Sequence, residues 1–206
     1  MALVIAAVLG IALGAALSNR RVPGRDLLGG IVTAPMVLPP TVLGYYVLVL
    51  LGRRSVLGQL FESITGSSLV FSKTGAVVAA TIGALPLVVI TSRAALESVD
   101  PTLVAAARTL GASRLRAFLT VEIPIAAPGI LAGLMLGFAR SLGDFGVTLM
   151  VAGDIPGQTQ TASLAIYDAI QANRESDALG MIVVLTLAAV GVLYAAGKLT
   201  RLPRVL

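Results

Sequence analysis

Five long apolar stretches constrain the fold of this 206-residue chain more than any other feature. They cover residues 1–18, 28–52, 71–92, 125–151 and 178–197. A helix needs about 20 mainly apolar residues to cross the hydrocarbon core of a bilayer. Because the bilayer core tolerates neither lipid-exposed loops nor open strand edges, the sequence predicts an all-α integral membrane protein with about five transmembrane helices.

Composition supports this class and excludes several others. Hydrophobic residues make up 57% of the chain and charged residues only 12%, about half the charged share of a soluble domain. Cysteine and histidine are both absent, which excludes disulfides, thiol chemistry and most zinc, copper or haem sites. No metal site is therefore expected. The net charge of +5 lies in loops beside the apolar stretches, so we expect no nucleic-acid partner.

The distribution of basic residues predicts the orientation. They concentrate after the first stretch, after the third and in the tail, at Arg20, Arg21, Arg25, Arg93, Arg108, Arg114, Arg116, Lys198, Arg201 and Arg204. Positive loops stay in the cytoplasm. The N-terminus is then outside and the C-terminus inside, as an odd number of spans requires. We expect one multi-pass domain, residues 1–206, in the cell inner membrane.

The second stretch contains Pro35, Pro39 and Pro40. Proline removes a helical hydrogen bond, so this span should bend or break near its middle. A break inside a membrane persists where neighbouring helices or a cavity satisfy the freed backbone groups. Pro39 and Pro40 are therefore candidates for lining a cavity, and a kink that serves packing alone is the alternative.

A polar, basic segment at about residues 94–124 lies between the third and fourth stretches. Asp100 and Pro101 have the pattern of an N-cap followed by proline at the first helical position. Gly111 fits the left-handed residue after a helix end. Ser113 is placed to cap a second short helix that runs towards Val121, before Ile123-Pro124 leads into the fourth stretch. Leu103, Ala106, Ala107 and Leu110 would share one face, suited to a groove on a cytosolic partner. The alternative is a surface hairpin that only closes a loop.

This segment resembles the EAA loop of bacterial ABC importer permeases, written Glu-Ala-Ala-x3-Gly-x9-Ile-x-Leu-Pro. Here the residues are Ala105-Ala106-Ala107-x3-Gly111-x9-Val121-x-Ile123-Pro124, so Ala105 replaces the acidic residue. The resemblance implies a coupling helix that sits in a cleft of the ATPase subunit. It assigns this coupling to Leu103, Ala105, Ala106, Ala107, Arg108, Leu110, Gly111 and Pro124.

Other segments are similar to molybdate permeases: 35–45 with its Pro-Pro pair, Gly52-Arg53-Arg54, 107–112, 138–146 and 155–159. The segment 138–146 is shared with sulfate permeases, so it indicates importers of tetrahedral oxyanions. The resemblance implies the MetI-like fold of type I ABC importer permeases. Such permeases often carry a longer segment before the first span, which predicts a mis-assigned start codon or a short natural form.

The resemblance also implies the partners. They are a second copy of the chain, two ABC ATPase subunits, and a periplasmic or lipid-anchored molybdate-binding protein. ATP would bind the ATPase, because this chain has no Gly-x4-Gly-Lys-Ser/Thr loop, and no cofactor is expected on the chain itself. The alternatives are a sulfate or tungstate permease, a non-transporting membrane scaffold and a membrane-embedded enzyme. The lack of histidine and cysteine argues against the enzyme.

Arg140 and Asp144 lie four residues apart within the fourth stretch, so a continuous helix would place both on one face. Charges facing lipid are costly, so the pair should face the bundle or a wet cavity. A structural salt bridge, a pore or gate role, and anion coordination by Arg140 are the alternatives. Candidate pore or gate residues are Arg140, Ser141, Asp144, Thr148, Pro39 and Pro40.

Small residues near this pair, including Gly143 and Gly146, suit a constriction between two subunits. Gly133 and Gly137 extend the same pattern, with packing inside one chain as the alternative. The loops 53–72 and 152–177 are predicted to be extracytoplasmic, the second with a short helix at 162–172. Arg53 and Arg54 either meet an acidic partner or an entering anion, or form a solvated pair.

Overall fold

The computed structural model describes residues 1–19 and 22–200, and every regular element within these residues is helical. Arg20, Arg21, Arg201 and Arg204, on which part of the predicted orientation rests, lie outside the described residues. The helices are α1 (Ala2–Ser18), α2 (Arg25–Val37), α3 (Pro40–Leu51), α4 (Val56–Thr65), α5 (Lys73–Glu97), α6 (Pro101–Thr109), α7 (Arg114–Ala117), α8 (Ile123–Leu142), α9 (Gly146–Ala152), α10 (Ala162–Gln171) and α11 (Glu175–Thr200). A π-helical segment, Phe118–Glu122, joins α7 to α8.

All five apolar stretches are helical. Three helices are long and apolar enough to cross a membrane, namely α5, the continuous segment Arg114–Leu142 and most of α11. The bent pair α2–α3 provides a fourth span, and α1 is a shorter apolar helix of 17 residues. At 1.5 Å per residue, α1 extends about 25 Å. The prediction of an all-α membrane fold is confirmed. Three helices and the bent pair, with the shorter α1 beside them, are roughly consistent with the predicted count of about five spans.

Helix α5 lies at the centre of the bundle, between α1 and α8. Gly10 and Gly14 of α1 lie against Val88 and Ser92, so α1 runs parallel to α5. Gly137 of α8 packs against the same Val88, while Gly129, earlier in α8, packs against Ala95. Helix α8 therefore runs antiparallel to α5. The first and third spans share one direction and the fourth is reversed, as the predicted orientation requires.

The bent pair α2–α3 crosses the bundle as one broken span. Its two halves meet at an angle of 116°. Asp26 at the start of α2 lies 4.0 Å from Arg93, near the end of α5. Val47 of α3 packs in a core cluster with Val70, just before the start of α5. The pair therefore runs from one end of α5 to the other, with its break between them.

The path from the polar segment into the fourth span differs from the expected one. Pro124 was expected to follow a separate second helix, but α7, the π-helical segment and α8 form one continuous run, Arg114–Leu142. Proline cannot donate a helical hydrogen bond and its ring crowds the preceding turn. The Ile123 N–H bonds to the Phe118 carbonyl, five residues earlier. This wider π turn accommodates Pro124 without ending the helix.

The two loops predicted to be extracytoplasmic contain α4 and α10. Ser55 caps α4 by accepting a hydrogen bond from Gly58 N at 2.9 Å. Helix α10 matches the short helix expected at 162–172 and packs against α11. Only 6% of the apolar 18-residue stretch of α11 is buried. This helix therefore presents its apolar side chains outward, as expected for a surface in lipid.

Candidate functional site

The first component of the candidate site is the break between α2 and α3. Leu38 adopts an extended backbone, with ψ of 139°, which is the conformation favoured before a proline. Pro40 then occupies the first position of α3, where its missing N–H costs no helical bond. Pro35 lies inside α2 without ending it. The predicted break is therefore present, and Pro39 and Pro40 cause it.

A second break, which the sequence did not predict, interrupts the fourth stretch. Helix α8 ends at Leu142 and α9 begins at Gly146. Between them, the buried carboxylate of Asp144 accepts hydrogen bonds from both the backbone N–H and the hydroxyl of Thr148. An aspartate that bonds nearby backbone groups competes with the helix. The expectation that Arg140 and Asp144 share the face of one continuous helix was wrong.

The charged pair forms despite the break. Arg140 Nη1 lies 3.4 Å from Asp144 Oδ1. The Asp144 side chain is only 2% exposed, whereas that of Arg140 is 38% exposed. Buried carboxylates need several donors, and Arg140 and Thr148 together supply three. Asp144 is thus fully engaged in the protein, while the guanidinium remains partly open.

The two breaks touch each other. A Cβ added to Gly146 would lie 2.8 Å from the Cβ of Pro40, and one added to Gly44 would lie 2.8 Å from the Cβ of Met150. Helix α3 therefore packs tightly along α9. Beside this contact is a small cavity of about 160 Å³. Its lining residues are Pro35, Met36, Leu38, Pro40, Leu43, Gly83, Leu87 and Arg140.

This cavity has one charged group and otherwise apolar or small walls. Gly83 and Leu87 come from the middle of α5, so the cavity lies near mid-depth in the bundle. Among the described residues, the Arg140 guanidinium donates its hydrogen bond to Asp144 alone. Its other N–H groups remain available to a ligand. Discontinuous helices that meet at mid-membrane are typical of substrate sites in transporters.

The structure separates the predicted pore residues. Pro40 and Arg140 line the cavity, whereas Pro39 is not among its lining residues. Asp144 accepts a hydrogen bond from Arg140 and is itself bonded by Thr148. Ser141 instead donates to the Gly137 and Ala80 carbonyls at 2.9 and 3.4 Å and so faces α5. Gly83 was missed, although a glycine in the middle of a spanning helix was a usable signal. The functional roles of all these residues stay predictions.

The small residues around the pair pack within the chain. Gly146 meets Pro40, and a methyl group on Gly133 would collide with the Thr91 hydroxyl of α5. A Cβ on Gly137 would lie 2.9 Å from Val88 Cγ2. The structure thus gives Gly133 and Gly137 partners inside one subunit, in accordance with the intramolecular alternative. Gly146, which was expected to suit a constriction between subunits, also has its close contact inside the chain.

The polar segment forms the expected capped helix. Asp100 Oδ1 accepts a hydrogen bond from Thr102 N at 2.8 Å. This bond holds the pKa of the Asp100 carboxyl below its usual value, because it favours the charged form. Gly111 follows α6 in the left-handed region, with φ of +90°. Ser113 Oγ accepts from Arg116 N at 3.2 Å and caps α7.

The predicted coupling residues divide between two faces of α6. Leu103 and Leu110 are 48% and 89% exposed, and Ala106 is also exposed. They form an uncovered apolar face suited to docking. Ala107 is half-buried against the bundle. The remaining face, with Ala105 and Arg108, lines a groove between α6 and the body of the protein. Pro124 lies in α8, beyond α6 and α7.

Arg53 and Arg54 lie at the other end of the bundle. Both line an open pocket of about 880 Å³ between the end of α3 and the segment before α5. Ser67, Ser68 and Ser72 share this pocket. Both arginines are exposed, which fits either of their predicted roles.

Comparison with known proteins gives the family. Residues 6–198 match the family model described as the inner membrane component of binding-protein-dependent transport systems. The chain is 46% identical over 155 residues to the molybdenum transport system permease protein ModB of Haemophilus influenzae, which covers 75% of this chain and 68% of that protein. It is 48% identical over 149 residues to ModB of Escherichia coli strain K12, covering 72% of this chain and 65% of that one.

Among solved structures, a bacterial alginate ABC transporter, in complex with a periplasmic protein that binds an alginate pentasaccharide, has a similar fold. The TM-score is 0.71 at 17% identity, over 97% of this chain and 73% of that chain. The relatives are permease subunits, and the helical spans described above are those of a multi-pass protein of the membrane. This chain belongs to the family of inner-membrane components of binding-protein-dependent transport systems.

Proposed function

We propose that this chain is the permease subunit of an ATP-driven ABC importer for molybdate. The observation that carries the substrate is the identity of 46% and 48% to two permeases named for molybdenum transport. The Arg140 guanidinium in the cavity between two broken helices agrees with an anionic substrate, because a cation among mostly apolar walls attracts an oxyanion more strongly than one in bulk water.

We further propose that two copies form the pathway between them. The cavity at Arg140 has only about 160 Å³, which is small for a pathway within one chain. Two copies would bring two such cavities, each with one partly open guanidinium, to a shared axis. Closed homodimers with a two-fold axis are the commonest symmetric assembly. The periplasmic binding protein would deliver the anion at the end that carries Arg53 and Arg54.

The docking face of α6 connects this pathway to the ATPase. Leu103, Ala106 and Leu110 would enter a groove of the ATPase subunit as an amphipathic helix enters its target. Because α7 and α8 are continuous through the π-helical segment, a displacement of the polar segment would pass directly to α8, which carries Arg140. Closure of the ATPase on ATP would then open the pathway outward, and hydrolysis would reset it.

Reconstitution tests this proposal. Liposomes would contain the permease, its ATPase subunit and ATP, with the binding protein on the outer side. We expect molybdate to accumulate inside and to stimulate ATP hydrolysis, with sulfate giving less of both. Equal uptake of sulfate and molybdate would assign a broader oxyanion permease. Assembly with the ATPase but no uptake of molybdate, tungstate or sulfate would leave only the scaffold interpretation.

Docking has its own test. Replacing Leu103 and Leu110 with glutamine removes apolar side chains that contribute little to the fold, because both are exposed. We expect the double variant to keep the thermal stability of the permease and to lose the ATPase subunit on co-purification. Thr109→Gln, at a neighbouring exposed position, is the control. Unchanged co-purification of the double variant would contradict the docking assignment.

A further inference from the structure

A groove beside α6 is lined by several arginines. It lies on the side of α6 opposite to the face that we propose docks on the ATPase, so that docking leaves these arginines without a role. It lies between α6, α7 and the ends of α1 and α5, and its volume is about 1240 Å³. Arg25, Arg93, Arg108 and Arg114 all line it. Positive loops lie in the cytoplasm, so this groove opens at the cytoplasmic surface of the membrane.

The positive charge of the groove is only partly neutralised. Arg93 pairs with Glu97 at 2.9 Å, and Arg25 lies 3.6 Å from Asp26. Within residues 1–19 and 22–200, neither Arg108 nor Arg114 has a carboxylate within 4 Å, although Glu122 also lines the groove. Two guanidinium groups therefore remain without an acidic partner.

A second observation points to a missing ligand. The Nη1 atom of Arg25 is buried and has no hydrogen-bond partner among the described residues. A buried donor without an acceptor destabilises the fold, and more so when the group is charged. The Arg25 side chain is 26% exposed through its other atoms, so a bound anion that drew the guanidinium towards the groove would give Nη1 an acceptor.

The groove also has an apolar wall. Ala15 comes from α1, Leu96 and Val99 from the end of α5 and just beyond it, and Val104 and Phe118 from the polar segment. Ala15, Val104 and Phe118 are half-buried and keep part of their apolar surface open, whereas Leu96 and Val99 are buried in the core cluster behind them. A soluble anion has no apolar part to pack against such a wall, whereas the acyl chain of a lipid would cover it.

We propose that this groove binds the phosphate group of an anionic phospholipid from the cytoplasmic leaflet. Arg108 and Arg114 would bind the phosphate oxygens, as guanidinium groups do in pairs of parallel hydrogen bonds. The Arg25 guanidinium would turn towards the phosphate and complete the site, and the acyl chain would lie along the apolar wall. Basic pockets between helices on the cytoplasmic side are suited to such headgroups.

Ala105 contributes to this site by having no charge. It lines the groove beside Arg108, at the position where the EAA pattern has glutamate. A carboxylate here would pair with the arginines and displace the lipid phosphate. The lipid would thus connect α6 to the bundle in place of an internal ion pair. This inference does not depend on which anion the permease transports.

The test is native mass spectrometry of the permease–ATPase complex in detergent, with phosphatidylglycerol added and phosphatidylethanolamine as the neutral control. We expect retention of phosphatidylglycerol in preference to phosphatidylethanolamine. Since each basic side chain near an anionic surface contributes roughly fivefold, Arg114→Gln should weaken binding about fivefold and Arg108→Gln/Arg114→Gln about 25-fold. Arg116→Gln, in the same short helix but outside the groove, should change it less than twofold.

Three results would overturn the proposal. An equal loss in Arg116→Gln and Arg114→Gln would mean general attraction to a basic surface. Displacement of phosphatidylglycerol by an equal concentration of inorganic phosphate would assign the site to a soluble anion. Unchanged phosphatidylglycerol retention in Ala105→Glu, with the ATPase subunit still bound, would mean that the lipid binds outside the groove. If the double arginine variant fails to assemble, Arg114→Gln and Ala105→Glu decide the matter.

Discussion

Gly146 packs directly against Pro40, at 2.8 Å between a Cβ added to the glycine and the Cβ of the proline. The contact joins the first turn of α9 to the first turn of α3, so each broken helix restarts against the other. Any side chain on Gly146 would push these two breaks apart. The cavity that contains Arg140 lies beside this contact, so its shape depends on a glycine.

Gly146→Val should therefore disrupt the site. Added methyl groups in a packed core cost about 1–3 kcal/mol, and here they would also displace Pro40. We expect a lower unfolding temperature in detergent and a loss of molybdate uptake in liposomes. Gly143→Ala is the matched control in the same break, because its nearest contact would be the Arg140 carbonyl at 3.9 Å. Equal effects of the two variants would contradict this account.

Asp144→Ala should destabilise the permease by about 2–4 kcal/mol, because it leaves more than one donor without its acceptor. It removes the acceptor for the Thr148 N–H and hydroxyl and for Arg140 Nη1, and a buried donor left unpaired costs about 1–3 kcal/mol. Asp144→Asn keeps an acceptor oxygen and should lose less. The measurement is the unfolding temperature in detergent. A loss in the asparagine variant as large as in the alanine variant would assign the effect to charge alone.

The pair Arg140→Gln and Asp144→Asn separates a structural salt bridge from an anion site. Neutralising both leaves no unpaired charge, so we expect the double variant to recover stability relative to Asp144→Asn. We expect molybdate uptake to remain lost, because the partly open guanidinium is absent. Recovery of uptake together with stability would assign the pair to packing only.

Gly111→Leu should separate coupling from folding. A residue with a Cβ costs about 1–2 kcal/mol in the left-handed conformation, which Gly111 adopts with φ of +90°. Relief of that strain would reorient α6 and reduce co-purification of the ATPase subunit. Gly66→Leu imposes similar strain, at φ of +70°, at the extracytoplasmic end. It should lose comparable stability and keep the ATPase subunit; loss of the subunit in both would indicate general misfolding.

The cap of α6 should depend on pH through Asp100. Its folded-state pKa is lowered by the Thr102 N–H bond, so its contribution to helix stability is complete above the unfolded value of about 3.9. That contribution is lost as the pH falls through the lowered pKa. In that pH range we expect the rate of amide hydrogen exchange in residues 100–109, corrected for intrinsic rates, to rise towards the rate in the Asp100→Ala variant. Asp100→Asn, which caps without titrating, should show no such rise.

Local chemistry in the sequence predicted much of the fold. Asp100, Pro101 and Gly111 each act on neighbours within a few residues, so their pattern identified α6 and its end correctly. Pro39 and Pro40 likewise predicted the broken second span. Pro124 was misjudged, because its effect depends on the register of the turn before it, and a π turn absorbs it.

The candidate site was less predictable. Asp144 looked like part of a continuous helix because its four-residue spacing from Arg140 matched helical periodicity. The Asp144 carboxylate instead accepts hydrogen bonds from Thr148, and these bonds compete with those of a continuous helix. Residue spacing alone does not predict the outcome of that competition. Ser141 is adjacent in sequence to Arg140, yet it faces α5, since the direction of a helix face depends on the neighbour that covers it.

The sequence by itself determined the spans, their alternation, the capped helix α6 and the family. These follow from hydropathy, loop charge and short-range capping, all of which act along the chain. Only the tertiary structure decided that Gly146 meets Pro40, that Arg140 opens into the cavity beside them, and that arginines from three segments line one groove. Those relationships join residues far apart in the chain, and they arise because packing brings together surfaces that local patterns leave independent.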